Sequence, residues 1–115
     1  MSQSGFILKV GSLDIIYAKS EDKEFNLKEL QGFVGGLIEY VPNNHELEVI
    51  ANEEGLLFPD PKFNQLAYYL FGLELVGEVF VFNEIGLQNY LEEHKPELKF
   101  MFAGERKTRN YTEEE

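Results

Sequence analysis

The chain has no cysteine among its 115 residues. That excludes a disulfide framework, a thiolate zinc site and a cysteine nucleophile. A small domain without such staples fits a reducing, cytosolic setting. Long apolar runs are also missing, and none approaches the roughly 18 residues needed to span a bilayer. The opening "MSQSGFILKVGSL" lacks a basic segment followed by a long apolar stretch, so no signal peptide is expected. Base is scarce: ten Lys and Arg stand against 21 Asp and Glu, for a net charge of −11. The imbalance is local, because residues 36–98 hold twelve acids and only two bases, Lys62 and Lys95. Such a field repels nucleic acid and membrane surfaces and favours cationic partners.

What is present is enough for one core. Hydrophobic residues make up 43%, with ten Phe and six Tyr. At this length they predict one domain over residues 1–98, followed by an edge strand and a mobile polar tail over 99–115.

Periodicity orders the elements. "GFILKV" and "LDIIYAK", split by Gly11-Ser12, read as a first β-hairpin. A helix follows, with Asn26 as N-cap and Glu29 three residues on completing a capping box. Phe25 and Leu30 take the staple positions. Leu27, Leu30, Phe33 and Val34 form the apolar stripe, and Gly35 or Gly36 ends it. A second helix is predicted from Asp60 as N-cap and Pro61 as first residue, with Phe63, Leu66, Ala67 and Leu70 inward and Gly72 as its stop. Asn64, Tyr68 and Tyr69 fall beside or outside that stripe. "VFVF" at 79–82 reads as a strand covered on both faces. Asn83 opens a third helix that Pro96 stops, and "LKFMFA" alternates as an edge strand would. The order is ββαββαβα with a last strand, an α+β fold of mostly antiparallel sheet with helices packed on it.

Between Gly35 and Gly55, Asn43-Asn44 predicts a two-residue type I′ turn. That register sets Tyr40 opposite Leu47, Glu39 opposite Glu48 and Ile38 opposite Val49. Ile38, Tyr40, Leu47 and Val49 then share an apolar face, and Glu39, Glu46 and Glu48 share the other. Opposed like charges on neighbouring strands are unfavourable, and three things can offset them: water and salt screening an open face, a cation or basic partner, or one carboxyl kept protonated as an acid. The "NEEG" loop adds Asn52, Glu53 and Glu54 at a strand end, where binding groups commonly stand.

Catalytic chemistry has little to work with. His45, in a turn, and His94, at a helix end, have no ligand-spaced companions, so neither a metal nor a cofactor is expected. The candidate binding residues are Glu39, Glu48, Asn52, Glu53, Glu54, Asn64 and Tyr68. Arg106 and Arg109, in the tail's basic cluster, complete the set by closing over an anionic ligand or an acidic neighbour.

A helix ending in "VGG", then "IE", a hairpin, "NEEG", and a helix with Asn64 and Ala67 before "VGEVFVF" together resemble a family of small domains of unknown function. That family is widespread in bacteriophages, plasmids and the bacteria that carry them. The resemblance spans residues 6–83 and rests on Gly35, Gly36, Glu39, Asn52, Glu53, Gly55, Asn64, Ala67 and Gly77. It brings no established reaction. It implies a mobile-element protein in the cytoplasm of a bacterial host. The expected function is non-catalytic interference with a host factor, as in counter-defence. The partner is either a basic host protein or a signalling nucleotide held by Asn52, Asn64, aromatic rings and the basic tail. Two alternatives are an acidic DNA mimic and a small enzyme that pairs Glu39 with Glu48 or Glu53. A homodimer is expected from the predicted strand edge.

Overall fold

A computed structural model describes residues 3–11, 14–83, 85–102 and 108–109. Strands β1 (Ser4–Leu8), β2 (Ile15–Lys19), β3 (Ile38–Tyr40), β4 (Val49–Asn52), β5 (Val79–Phe82) and β6 (Thr108–Arg109) form one sheet in the order β3-β4-β5-β1-β2-β6. The first five are antiparallel to their neighbours, and the two-residue β6 runs parallel to β2. Helices α1 (Leu27–Val34), α2 (Gln65–Phe71) and α3 (Ile85–His94) complete an α+β fold.

Alternation divides the core into two layers, one on each face of the sheet. Phe25, Leu30, Phe33 and Val34 bring α1 onto Ile7, Ala18, Ile50, Phe80 and Phe82. On the other face, Leu66, Ala67, Leu70 and Phe71 of α2 and Leu87, Tyr90 and Leu91 of α3 cover Phe6, Leu8, Val49, Ala51, Val79 and Val81. Strand β5 is therefore buried on both faces, as its unbroken apolar run predicted. The capping box of α1 forms as read: Glu29 N donates to Asn26 Oδ1 at 2.7 Å, and Asn26 N donates to Glu29 Oε1 at 2.8 Å. Gly35 ends the helix at φ 83°, a left-handed conformation that glycine adopts without strain.

Several expectations change. Helix α2 begins at Gln65 with Asn64 as its cap, four residues later than Asp60 suggested. Pro61 precedes the helix, and Phe63 is half exposed, in an isolated bridge with Val76. "LKFMFA" is not an edge strand. Pro96–Phe102 is a short 3-10 helix that seats buried Phe102 edge-on against Phe6, ring centroids 4.9 Å apart. Burying that ring outweighs the alternating pattern. Most of the polar tail, including Arg106, lies outside the described residues.

The main correction concerns the second hairpin. Ile38 pairs with Asn52, Glu39 with Ala51 and Tyr40 with Ile50, a slip of three residues from the tight-turn register. Asn43 and Asn44 do not make a two-residue turn. The Asn43 side chain instead organises a wider loop, accepting from His45 N and Leu47 N and donating to Val41 O and Leu47 O. Val41 N donates to Val49 O at its base, and Glu46 takes the left-handed conformation at φ 59°. An odd slip inverts the faces. Ile38 and Tyr40 lie on the α1 side, whereas Leu47 and Val49 pack under α2 and α3.

Candidate functional site

The slip also separates the glutamates. Glu39 stands opposite Ala51 on the α2 and α3 side. Glu48 precedes Val49 on the alternate face, and its carbonyl accepts from Phe82 N. Glu46 lies in the loop against the first turn of α3, where a Cβ on Gly86 would stand 3.1 Å from Glu46 O. The expected triad of Glu39, Glu46 and Glu48 does not exist.

A different acidic group forms around the "NEEG" turn. Asn52 is buried, and it builds that turn. Its Nδ2 donates to Val34 O at 3.1 Å, satisfying a carbonyl at the end of α1, and its Oδ1 accepts from Glu54 N at 2.7 Å. Gly36 leaves room for it, since a Cβ there would meet Asn52 Nδ2 at 2.8 Å. Glu53 N donates to Leu37 O, which fastens the turn to the start of β3. Gly55 then passes close to Val76 O. The chain turns outward as a 3-10 helix, Gly55–Leu57, leaving Leu56 and Leu57 each 78% exposed.

The result is a groove of about 170 Å³ with Ala51, Leu75 and Val76 among its lining. Around it stand Glu39, Glu53, Glu54 and Glu74, with Leu56 and Leu57 at hand. Among the described residues no lysine, arginine or histidine lines it. The four carboxylates have no ion pair among the described residues; Lys62, the nearest base along the chain, is held by Asp60 at 2.9 Å.

The other predicted residues serve elsewhere. Asn64 is fully buried, and its amide is used up by the fold: Nδ2 donates to Leu8 O and Gly77 O, and Oδ1 accepts from Ala67 N. It does not lie beside or outside the apolar stripe, because a capping side chain turns in toward the strands. Tyr68 is half exposed on α2, beside Phe63 and away from the groove. Arg109 belongs to β6, at the opposite edge of the sheet from β3.

One cluster was missed. His45 and His94, 49 positions apart, meet across Tyr90, with ring centroids 4.6 Å and 4.7 Å from the tyrosine and 5.6 Å from each other. They border a groove of about 320 Å³ with Asn44, Glu46, Asn89 and Glu93. Tyr90 Oη donates to Leu70 O at 2.6 Å, and burial raises its phenol above the ordinary 10.0. Among the described residues no group of three His, Asp or Glu side chains is placed to hold a metal. Only the wide loop brings His45 to α3, and no local signal announces that loop.

The family model for "Domain of unknown function (DUF3846)" matches residues 12–93. The chain belongs to this family. No curated protein and no solved structure matches it. The DUF3846 region takes in α1, α2, nearly all of α3 and the acid-lined groove. Within it, most residues that carry the resemblance have structural work. Gly35 and Gly77 take positive φ, Gly36 and Gly55 permit close approach, Asn52 and Asn64 bridge backbone, and Ala67 is fully buried. Glu39 and Glu53 are left over: both are exposed, unpaired among the described residues, and in the same groove. No helix among the described residues is long and apolar enough to cross a membrane.

Proposed function

We propose that this DUF3846 protein is a non-catalytic binding protein that receives a basic surface of another protein at the acid-lined groove. The observation that carries this reading is the gathering of Glu39, Glu53, Glu54 and Glu74 around an apolar floor, with two strongly exposed leucines beside them. Apolar surface supplies affinity, and uncompensated charge supplies steering and selectivity. The mobile-element setting implied by the resemblance makes the partner a host factor and the outcome its inactivation, as in counter-defence.

A basic protein is favoured over a nucleotide because the fold consumes the amides of Asn52 and Asn64. The groove's own charge also opposes a phosphate. A glutamate-pair enzyme is disfavoured because no hydroxyl or thiol nucleophile, histidine or lysine joins Glu39 and Glu53 among the described lining residues.

The test is affinity capture from a bacterial host lysate on the immobilised full chain, followed by affinity measurements with the purified partner. Glu53→Gln combined with Glu54→Gln should weaken binding by about tenfold while leaving the fold intact. A partner that ignores these changes, or nucleotide recovered from the denatured protein, refutes the reading. Binding that competes with duplex DNA and collapses steeply with salt supports the DNA-mimic alternative instead.

A further inference from the structure

Strand β3 is one edge of the sheet. Glu53 N donates to Leu37 O, and Val41 N donates to Val49 O. In an antiparallel ladder this fixes which residues face the neighbour: 37, 39 and 41 turn their backbone groups to β4, so Ile38 and Tyr40 turn theirs outward. Nothing among the described residues bonds to those outward groups. Glu39 and Tyr40 are exposed, Tyr40 to 61%. An uncovered edge of this kind is a template for another strand. It is also short, because the next outward position is Pro42, which has no N–H to donate.

We infer that β3 takes up an extended segment of the partner as an added antiparallel strand with an apolar–basic–apolar sequence. This rests on the groove reading above and specifies how the partner enters. The incoming residue opposite Glu39 occupies a non-hydrogen-bonded position, with Cα atoms about 4.5 Å apart. Its side chain projects on the Glu39 face, toward the groove that Glu39 shares with Glu53, Glu54 and Glu74. Lysine or arginine fits there. The residues on either side bond to Ile38 and Tyr40 and project on the α1 face. They meet the Ile38 side chain and the exposed Tyr40 ring, which favour β-branched or aromatic residues.

The same geometry argues against a second copy as the occupant. Its β3 would offer Ile38-Glu39-Tyr40, which matches the apolar positions and sets one Glu39 against the other. Shifting the pairing to centre on Tyr40 places Pro42 opposite Ile38 and loses a ladder hydrogen bond. Two chains of net charge −11 also repel.

The experiment uses the full ¹⁵N-labelled chain and the blocked peptide Thr-Thr-Val-Lys-Val-Thr-Thr. Amide exchange at Ile38 and Tyr40 should slow by at least about tenfold at saturation, while the Glu39 amide, already bonded to β4, is unchanged. A peptide with central glutamate should bind at least about fivefold more weakly. N-methylation of both valines should abolish binding, and Glu39→Lys should lower the preference for the central lysine. Lysine-dependent shifts in the groove that survive N-methylation, without slowing at Ile38 and Tyr40, overturn strand addition and leave the groove reading standing. Protection that rises with protein concentration without peptide assigns the edge to self-association and overturns the inference. No response anywhere also overturns it, and the capture experiment then judges the groove separately.

Discussion

Replacing Asn64 distinguishes a structural side chain from a ligand contact. The residue is 0% exposed and makes three hydrogen bonds, two as donor to Leu8 O and Gly77 O and one as acceptor from Ala67 N. Asn64→Ala removes the α2 cap, worth about 1 kcal/mol. It also strips a donor from two buried carbonyls, at about 1–3 kcal/mol each. The expected loss is about 3–7 kcal/mol, a large part of the roughly 5–15 kcal/mol that holds a domain together. Asn64→Asp keeps the acceptor for Ala67 N but turns a carboxylate toward two carbonyls, so at pH 7 it should be worse than alanine. Burial against two carbonyl oxygens, with the Ala67 N–H as its one donor, raises that carboxyl's folded pKa above its unfolded value. The Asn64→Asp variant should therefore recover stability relative to wild type as pH falls toward the unfolded carboxylate pKa, near about 4. Urea denaturation followed by circular dichroism measures both variants. Losses below about 1 kcal/mol in each, or an order with alanine worse than aspartate at pH 7, would refute the role assigned to this amide.

Three further outcomes are expected. Gly5→Ala should destabilise the chain by more than about 3 kcal/mol, because its Cβ would collide with the Phe80 ring and stand 2.6 Å from Val81 O; thermal denaturation checks it. Tyr90→Phe should cost about 1 kcal/mol at pH 7 through loss of the bond to Leu70 O. The wild-type phenol is raised in the folded state, so its contribution is complete below pH 10.0 and disappears as pH climbs through the folded value. Denaturation midpoints taken from pH 8 upward should fall less steeply for the phenylalanine variant. Glu53→Gln and Glu54→Gln should each leave stability within about 0.5 kcal/mol by urea denaturation, since both are exposed and unpaired among the described residues.

Local chemistry was readable wherever one segment decides the outcome. The Asn26–Glu29 capping box, the left-handed Gly35 and the doubly buried "VFVF" strand all stand as their residues predict. The second hairpin was not readable, for a physical reason. Alternation fixes register only when one face of a strand is polar, and Val49, Ile50, Ala51 and Asn52 are all buried. With that constraint absent, Asn43-Asn44 carried the prediction, and burial of Leu47 beneath the helices overrode it. "NEEG" reads in the sequence as a loop that offers an amide and two carboxylates, while the acids are expected to gather on the hairpin face. Its companions in the groove, Glu39 and Glu74, come from β3 and from the segment after α2, a distance in sequence that no local pattern bridges. Asp60-Pro61 carries a stronger local cap signal than Asn64, which hides the true start of α2, and the histidine pair has no local signal because only the folded loop brings His45 to His94.

The central claim is that recognition occurs at the acid-lined groove beside β3. Hydrogen–deuterium exchange on the full chain, with and without the partner captured from lysate, tests it most directly. Protection should appear over residues 37–40 and 53–57 and leave the loop at 43–46 and the end of α3 unchanged. Protection confined to His45 and His94, with residues 37–40 and 53–57 exchanging as before, would contradict it.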